Sequence, residues 1–549
     1  MFKKSIALLM TMSLISVPMI AYAEQANQVK APAIGGGNTA KGIVYDDKNK
    51  NLEQDKGEPG IAGVLVSNGR DVVKTNAQGR YELSVSDESI IFITKPSGYI
   101  VPVNDVNLPQ FYYLHHPNGS PVQTKFPGIK PTGSLPESVD FPLFKQKESN
   151  KFDVVVFADP QTSNDQQLDY LRDDVVSELV GSEAAFGITV GDVANDNLSI
   201  YPRNNEIMST IGIPWFNLPG NHDMNYDVAD DTYATETFKS VYGPTYYSFD
   251  YGQVHFVTLD NVEYYGQQAD GKNGDYRGDI TAPQLEWLKN DLANVPKNKL
   301  IVIASHIPLR TDADNTDEGI NTANLKELFS LLEGREHLFS MSGHDTSNSW
   351  NMYMGEEAGW TGKEPFHHQV LAEVRGGSWR GPLDSRGIPA ADTADGTPNG
   401  YYIFSFDGNE FTSRFKAASL PAEFQARISF DAPGTEGARL YPSKWQGEKP
   451  QIVANVFDGG ERHQVEVSFD GGEYADMTHT LRTDPYMEAQ WAQYAGTPEQ
   501  PDRPAVSSHI WTTEIPAGLA PGAHTVTVKV TDPFGHVNKT SRVFEIAAD

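Results

Sequence analysis

Between residues 159 and 345, five short motifs place polar side chains directly after predicted strands: Asp159-Pro160-Gln161, Gly191-Asp192, Gly220-Asn221-His222-Asp223, Ser305-His306 and Gly343-His344-Asp345. Loops that follow strands converge on the carboxyl edge of a sheet, a common place for binding and catalytic groups. Taken singly, a Gly-Asp there is ordinarily a turn and an isolated His is ordinarily structural. The chain has no Cys, so a metal site would have to use His, Asp, Asn, Gln or Glu, with no thiolate donor. A separate pattern lies near the amino terminus. Asp47, Asn49, Asn51, Glu53, Asp55 and Glu58 stand at positions 1, 3, 5, 7, 9 and 12 of a loop, the oxygen-ligand spacing of a calcium site. Leu52 replaces the usual glycine at position six, and the alternative reading is a solvated acidic turn.

The order of the five motifs resembles the calcineurin-like metallophosphoesterase superfamily, whose pattern runs Asp-x-His, Gly-Asp, Gly-Asn-His-Asp/Glu, His, Gly-His-x-His. The match covers roughly residues 151 to 416. The resemblance implies a layered α-β-β-α core and an enzyme that hydrolyses phosphoric esters, monoesters or diesters, by attack of a metal-bound hydroxide at a dinuclear site. Two divalent ions (Mn, Fe, Zn or Mg) about 3.5 to 4 Å apart would supply the nucleophile and cancel phosphoryl charge. Carried over motif by motif, Asp159, Gln161 and Asp192 would hold one ion, and Asp192, Asn221, His306 and His344 the other. His222 would serve the leaving group, with Asp223 orienting its ring.

Two departures fall on one of the two ions. Gln161 stands where the pattern has His, and Thr346 stands where the second His of Gly-His-x-His belongs. Asp345, His367 or His368 are candidates to complete that ion's shell or to meet substrate, and Arg310 is a candidate for a phosphoryl oxygen. The competing reading is a periplasmic or surface binding protein on a phosphoesterase core weakened by one depleted metal site.

The elements that must position these groups follow from hydrophobic patterning. Apolar strands are expected at 152–157, 187–190, 214–218, 254–259, 300–304 and 338–340, with helices at 168–180, 283–292 and 324–332. Thr281-x-x-Gln284 reads as a capping box. This is an α/β catalytic domain over 150–416. Short strands separated by Gly, Pro and Asn turns predict all-β sandwiches on either side, over 40–146 and 421–549. The first is similar to bacterial B-type repeat domains, and the three together resemble a recurring three-domain bacterial form of the superfamily.

Residues 1–23 carry Lys3 and Lys4, an apolar run and Ala21-Tyr22-Ala23 before Glu24, the order of a cleavable secretory signal cut after Ala23. Residues 24–39 read as a flexible linker. A periplasmic or secreted protein is expected, with no membrane span after the signal. The net charge of -30 argues against nonspecific nucleic-acid binding and mildly favours a small phosphate ester as substrate.

Overall fold

The computed structural model describes residues 38–548 apart from positions 315, 436, 446 and 448, and the described residues belong to one compact unit. The signal segment and nearly all of the expected linker lie outside the described residues. The linker's last two positions, Asn38 and Thr39, already belong to the first strand, Asn38–Asp46.

Eleven strands build the two large sheets of the central domain. They are β1 Lys151–Phe157, β2 Phe186–Val190, β3 Trp215–Leu218, β4 Tyr247–Tyr251, β5 Val254–Thr258, β6 Leu300–Ala304, β7 Leu338–Ser342, β8 Trp350–Met354, β9 Phe366–Val370, β10 Gly400–Asp407 and β11 Glu410–Ala417. One sheet has the order β3-β2-β1-β10-β11 and the other β4-β5-β6-β7-β9-β8. Strands β1, β2 and β3 run parallel, as do β5, β6, β7 and β9, while β4, β8 and β10 are antiparallel to their neighbours.

Alternation along β1 shows why the layers form. Phe152, Val154 and Val156 enter the core between the two sheets, whereas Val155 and Phe157 pack with Leu168, Leu171, Val175 and Tyr201 on the helical side. Successive strand side chains point to opposite faces, so a strand buried on both sides must be apolar throughout. The helix expected at 168–180 runs as Asp165–Tyr170, a π-helical stretch Leu171–Val176, and Ser177–Leu179. On the opposite flank, Ala282–Leu292 and Leu325–Leu332 cover the second sheet through Trp287, Leu288, Leu328 and Leu332. The result is a layered α-β-β-α core.

The expected capping box does not form: Thr281 is the N-cap but makes no side-chain cap bond. Gln284 turns away to bind both the N–H and the carbonyl of Asp260, since a buried amide must satisfy both of its ends.

On the amino-terminal side two four-stranded sheets form a sandwich, and on the carboxyl side a four- and a five-stranded sheet form another. Both are docked by buried polar contacts. Thr94 Oγ1 meets Ser248 Oγ at 3.0 Å, and His509 Nε2 meets Asp395 Oδ2 at 2.8 Å. The helix Pro485–Gln493 inside the carboxyl-terminal domain was not expected from the turn-rich sequence. Among the described residues no helix is long and apolar enough to cross a membrane.

Candidate metal centre and active site

All five motifs sit just past the carboxyl ends of parallel strands: Asp159 after β1, Asp192 after β2, Asn221 after β3, His306 after β6 and His344 after β7. Because both sheets end their parallel strands at the same edge, residues almost 190 positions apart meet there: the His344 N–H donates to Asp159 Oδ2 at 3.0 Å. The backbone is strained where it matters. Asp159, Gln161, Asp192 and His344 have φ of 47, 38, 51 and 72°, a region that side-chain-bearing residues rarely enter and that recurs at functional sites.

The motif glycines are required by close approach. A Cβ on Gly191 would lie 2.4 Å from the His306 ring, one on Gly220 2.1 Å from Asp192 Oδ1, and one on Gly343 2.0 Å from Asp159 Oδ2. Each glycine lets one loop touch a polar side chain of another.

The imidazoles are oriented through their outer nitrogens. His306 Nδ1 lies 3.0 Å from the Val190 carbonyl and His344 Nε2 lies 2.9 Å from the Gly319 carbonyl. A carbonyl only accepts, so each of these nitrogens carries a hydrogen, and the other nitrogen of each ring turns inward. Histidines that ligate metals are commonly held this way. His306 Nε2 then sits 3.2 Å from His344 Nδ1, 2.9 Å from Asn221 Oδ1 and 3.3 Å from Asp192 Oδ1. Asp159, Asp192 and His306 each offer a donor atom within 4.8 Å of the others, all of them buried. Nearby, Gln161 Oε1 is buried without a hydrogen-bond partner, although the Gln161 N–H is fixed on the Asp192 carbonyl at 2.8 Å.

These acceptors crowd one point and require positive charge there. Burial opposes a charged His306, yet the Asp192 and Asp159 carboxylates and the Val190 carbonyl together outweigh it and push the imidazole up to about 9. Burial and the His306 charge together push His344 down to about 3. Burial pushes Asp159 up to about 6. A cation in place of the proton satisfies the inward nitrogens and the carboxylates together, so the residues present fit divalent metal.

His222 is tied to the loop after β2. Its N–H donates to Asp192 Oδ1 at 2.8 Å, while its ring Nδ1 lies 2.7 Å from Asp196 Oδ1. Asp223 does not orient the ring, contrary to expectation. Its carboxylate accepts from the N–H groups of Val193, Ala194 and Gly220 and from the Tyr201 hydroxyl, binding the Asp192 and Asn221 loops together.

Three of the additional candidates, Asp345, His367 and His368, are occupied elsewhere. Asp345 accepts from Trp350 Nε1 and from Ser347, bracing its own loop. His368 is fixed by Ser340 Oγ and the Leu309 N–H, and His367 bonds Asn351 and stacks on Tyr353. Both lie on β9, among the sheet's own side chains, which does not favour either as the additional ligand expected from the sequence. Arg310 lies 3.6 Å from Asp312, and its Nε is buried without a hydrogen-bond partner among the described residues. In the amino-terminal loop, Glu58 accepts from the N–H groups of Lys48 and Asp55, Asp47 from those of Lys50 and Leu52, and Asp55 from the Asn49 and Asn51 amides. The expected calcium ligands thus share one closed turn.

Several site residues were missed by sequence reasoning. Asp196 lies in an ordinary polar loop. Tyr276 packs edge-on against His344, and Tyr226 faces Asn221. Glu373 and Arg375 form a buried pair at 2.7 Å beside Asp159. The neighbouring Gly376-Gly377-Ser378-Trp379 run was the available signal.

Residues 152–345 match the family described as calcineurin-like phosphoesterase, and 48–130 and 370–537 match its N-terminal and C-terminal companion families. The chain belongs to the calcineurin-like phosphoesterases. It has the three-domain form, and it is a metal-dependent hydrolase of phosphoric esters. The C-terminal match begins at the end of β9, so it takes in β10 and β11, which complete the first sheet of the catalytic core. Among solved structures, a purple acid phosphatase from yellow lupin (Lupinus luteus) seeds aligns at 12% identity and a TM-score of 0.34, over 64% of this chain and 67% of that one. PhoD aligns at 11% identity and a TM-score of 0.33, over 69% and 86%. No curated protein matches the chain.

Proposed function

We propose that this phosphoesterase is exported and hydrolyses small phosphate esters with two divalent cations. Asp159, Gln161 and Asp192 would hold one, and Asp192, Asn221, His306 and His344 the other. The observation that carries this reading is the buried group of Asp159, Asp192 and His306, whose donor atoms lie within 4.8 Å of one another, with His344 Nδ1 3.2 Å from His306 Nε2. Bound there, the cations would supply Lewis acidity, stabilising charge on phosphoryl oxygens and lowering the pKa of water.

The chain's own groups do the rest. The Val190 and Gly319 carbonyls and the strained turns fix the ligands before substrate arrives, so little reorganisation is needed during the reaction. With Nδ1 committed to Asp196, His222 keeps Nε2 as its working nitrogen, placed to deliver a proton to the departing alkoxide. Such general-acid help is worth about 10² to 10⁴ in rate. Tyr226 and Tyr276 present neutral, partly apolar surface beside the donors, suited to the organic part of a small ester. The Lys3-Lys4, apolar and Ala21-Tyr22-Ala23 order of the first 23 residues supports export.

The test is turnover of p-nitrophenyl phosphate by the mature chain after reconstitution with Mn²⁺. Activity that chelation abolishes and Mn²⁺ restores is expected. A well-folded, metal-loaded chain that cleaves no ester across a panel of monoesters and diesters would leave only the binding-protein reading.

A further inference from the structure

The turn after β9 wraps the loop that carries Asp159. The Val374 N–H donates to the Ala158 carbonyl at 2.7 Å, the Arg375 N–H to the Asp159 carbonyl at 3.2 Å, and Trp379 Nε1 to the Pro160 carbonyl at 3.1 Å. Within this turn Gly376, Ser378 and Trp379 have φ of 49, 58 and 53°. A Cβ on Gly376 would lie 1.6 Å from the Ala391 carbonyl oxygen. Strain held in place by this many contacts is the pattern of a segment shaped for function rather than for stability.

What the turn presents is Arg375. Its side chain is about nine-tenths buried, and Nε donates to Glu373 Oε2 at 2.7 Å. Among the described residues neither Nη nitrogen has a hydrogen-bond partner, and neither is sealed from solvent. Glu373 thus fixes the plane of the guanidinium from one side and leaves the outer edge open. The Arg375 backbone N–H is bonded to the Asp159 carbonyl, which sets the residue beside a metal ligand, and its charge acts on Asp159, on Asp192 and on the His222 ring. A guanidinium fixed through Nε, with both Nη nitrogens unpaired and open, is preorganised to receive a further anion.

We infer that Arg375 is a phosphate-binding residue of this active site and that it directs the site toward phosphate monoesters. The inference rests on the phosphoesterase reading above. A planar guanidinium offers two parallel N–H groups to two oxygens of one phosphoryl group. A diester has two non-bridging oxygens and one negative charge. A monoester has a third terminal oxygen and nearly a second charge near neutral pH, and a fixed guanidinium meets that surplus. It stands on the Asp159 side, where Gln161 supplies a neutral oxygen in place of an imidazole.

The experiment compares wild type, R375K and R375Q, each reconstituted with Mn²⁺ and assayed for bound metal, on p-nitrophenyl phosphate and bis(p-nitrophenyl) phosphate. R375Q should lower kcat/KM for the monoester about 10- to 100-fold and for the diester less than about threefold, with metal content unchanged and R375K intermediate. Orthophosphate binding by calorimetry should weaken in parallel. Equal losses on both esters, unchanged phosphate affinity, or a loss explained by missing metal would overturn the proposal. If R375Q loses its cooperative melt, the double variant E373Q/R375Q removes both buried charges and takes its place. If wild type cleaves neither ester, the phosphoesterase reading fails, and the calorimetry alone still decides on Arg375.

Discussion

His222 Nδ1 lies 2.7 Å from Asp196 Oδ1. The ring is therefore held by a residue from the loop after β2, not by its sequence neighbour Asp223. His222→Ala should lower kcat by about 10² to 10⁴ and Asp196→Asn by a smaller factor, both with metal retained. The deficit should shrink for an ester with a highly acidic leaving group, which needs no proton. Steady-state rates across a series of substituted phenyl phosphates check this.

Asp223 is a brace. Its buried carboxylate accepts three backbone N–H groups and the Tyr201 hydroxyl, and removing it leaves those donors unpaired. Asp223→Ala should cost about 3 kcal/mol or more of stability, seen as a lower urea midpoint. A loss of activity at an unchanged midpoint would return Asp223 to a catalytic role.

Gly220 and Gly343 separate metal affinity from folding. Their Cβ positions would lie 2.1 Å from Asp192 Oδ1 and 2.0 Å from Asp159 Oδ2. Gly220→Ala or Gly343→Ala should weaken Mn²⁺ binding about tenfold or more by displacing a ligand. Equilibrium dialysis measures the loss, and the urea midpoint should fall less than in Asp223→Ala.

Far from the site, His255 is buried between Asp250 and Asp291 at 2.8 Å from each. Burial opposes its charge, but the two carboxylates outweigh burial and push the ring up to about 9. A pKa raised on folding stabilises fully below the unfolded value of about 6.5 and ceases to do so as pH rises through about 9. Between pH 6 and 9.5 stability should therefore fall by on the order of 3 kcal/mol, and His255→Gln should abolish that part of the slope. Urea unfolding at the two pH values provides the comparison.

Strand β1 and the motifs after it were legible because burial on both faces writes a continuous apolar run, and because close approach forces Gly at 191, 220 and 343. The layered core was legible for the same reason. Asp196 was not: a hydrogen bond between two loops leaves no mark on local composition. His367 and His368 misled because a strand can place two histidines in sheet packing as readily as at a metal. Thr281 and Gln284 had the spacing of a capping box, but burial diverted Gln284 to the Asp260 backbone. The Asp47 to Glu58 spacing closes into one turn, as its alternating side-chain acceptors suggest. Arg375 was hidden because its placement depends on a turn strained by contacts that only the folded chain makes.

Asp159, Gln161, Asp192, Asn221, His306 and His344 are proposed to form a site for two cations. Metal analysis of the mature chain after dialysis against Mn²⁺ tests this proposal most directly, with Asp192→Ala and Gln161→Leu in parallel. Two ions per chain are expected in wild type, about one in Gln161→Leu and close to none at this site in Asp192→Ala. Stoichiometry that Asp192→Ala leaves unchanged, or wild type that retains no Mn²⁺, would contradict it.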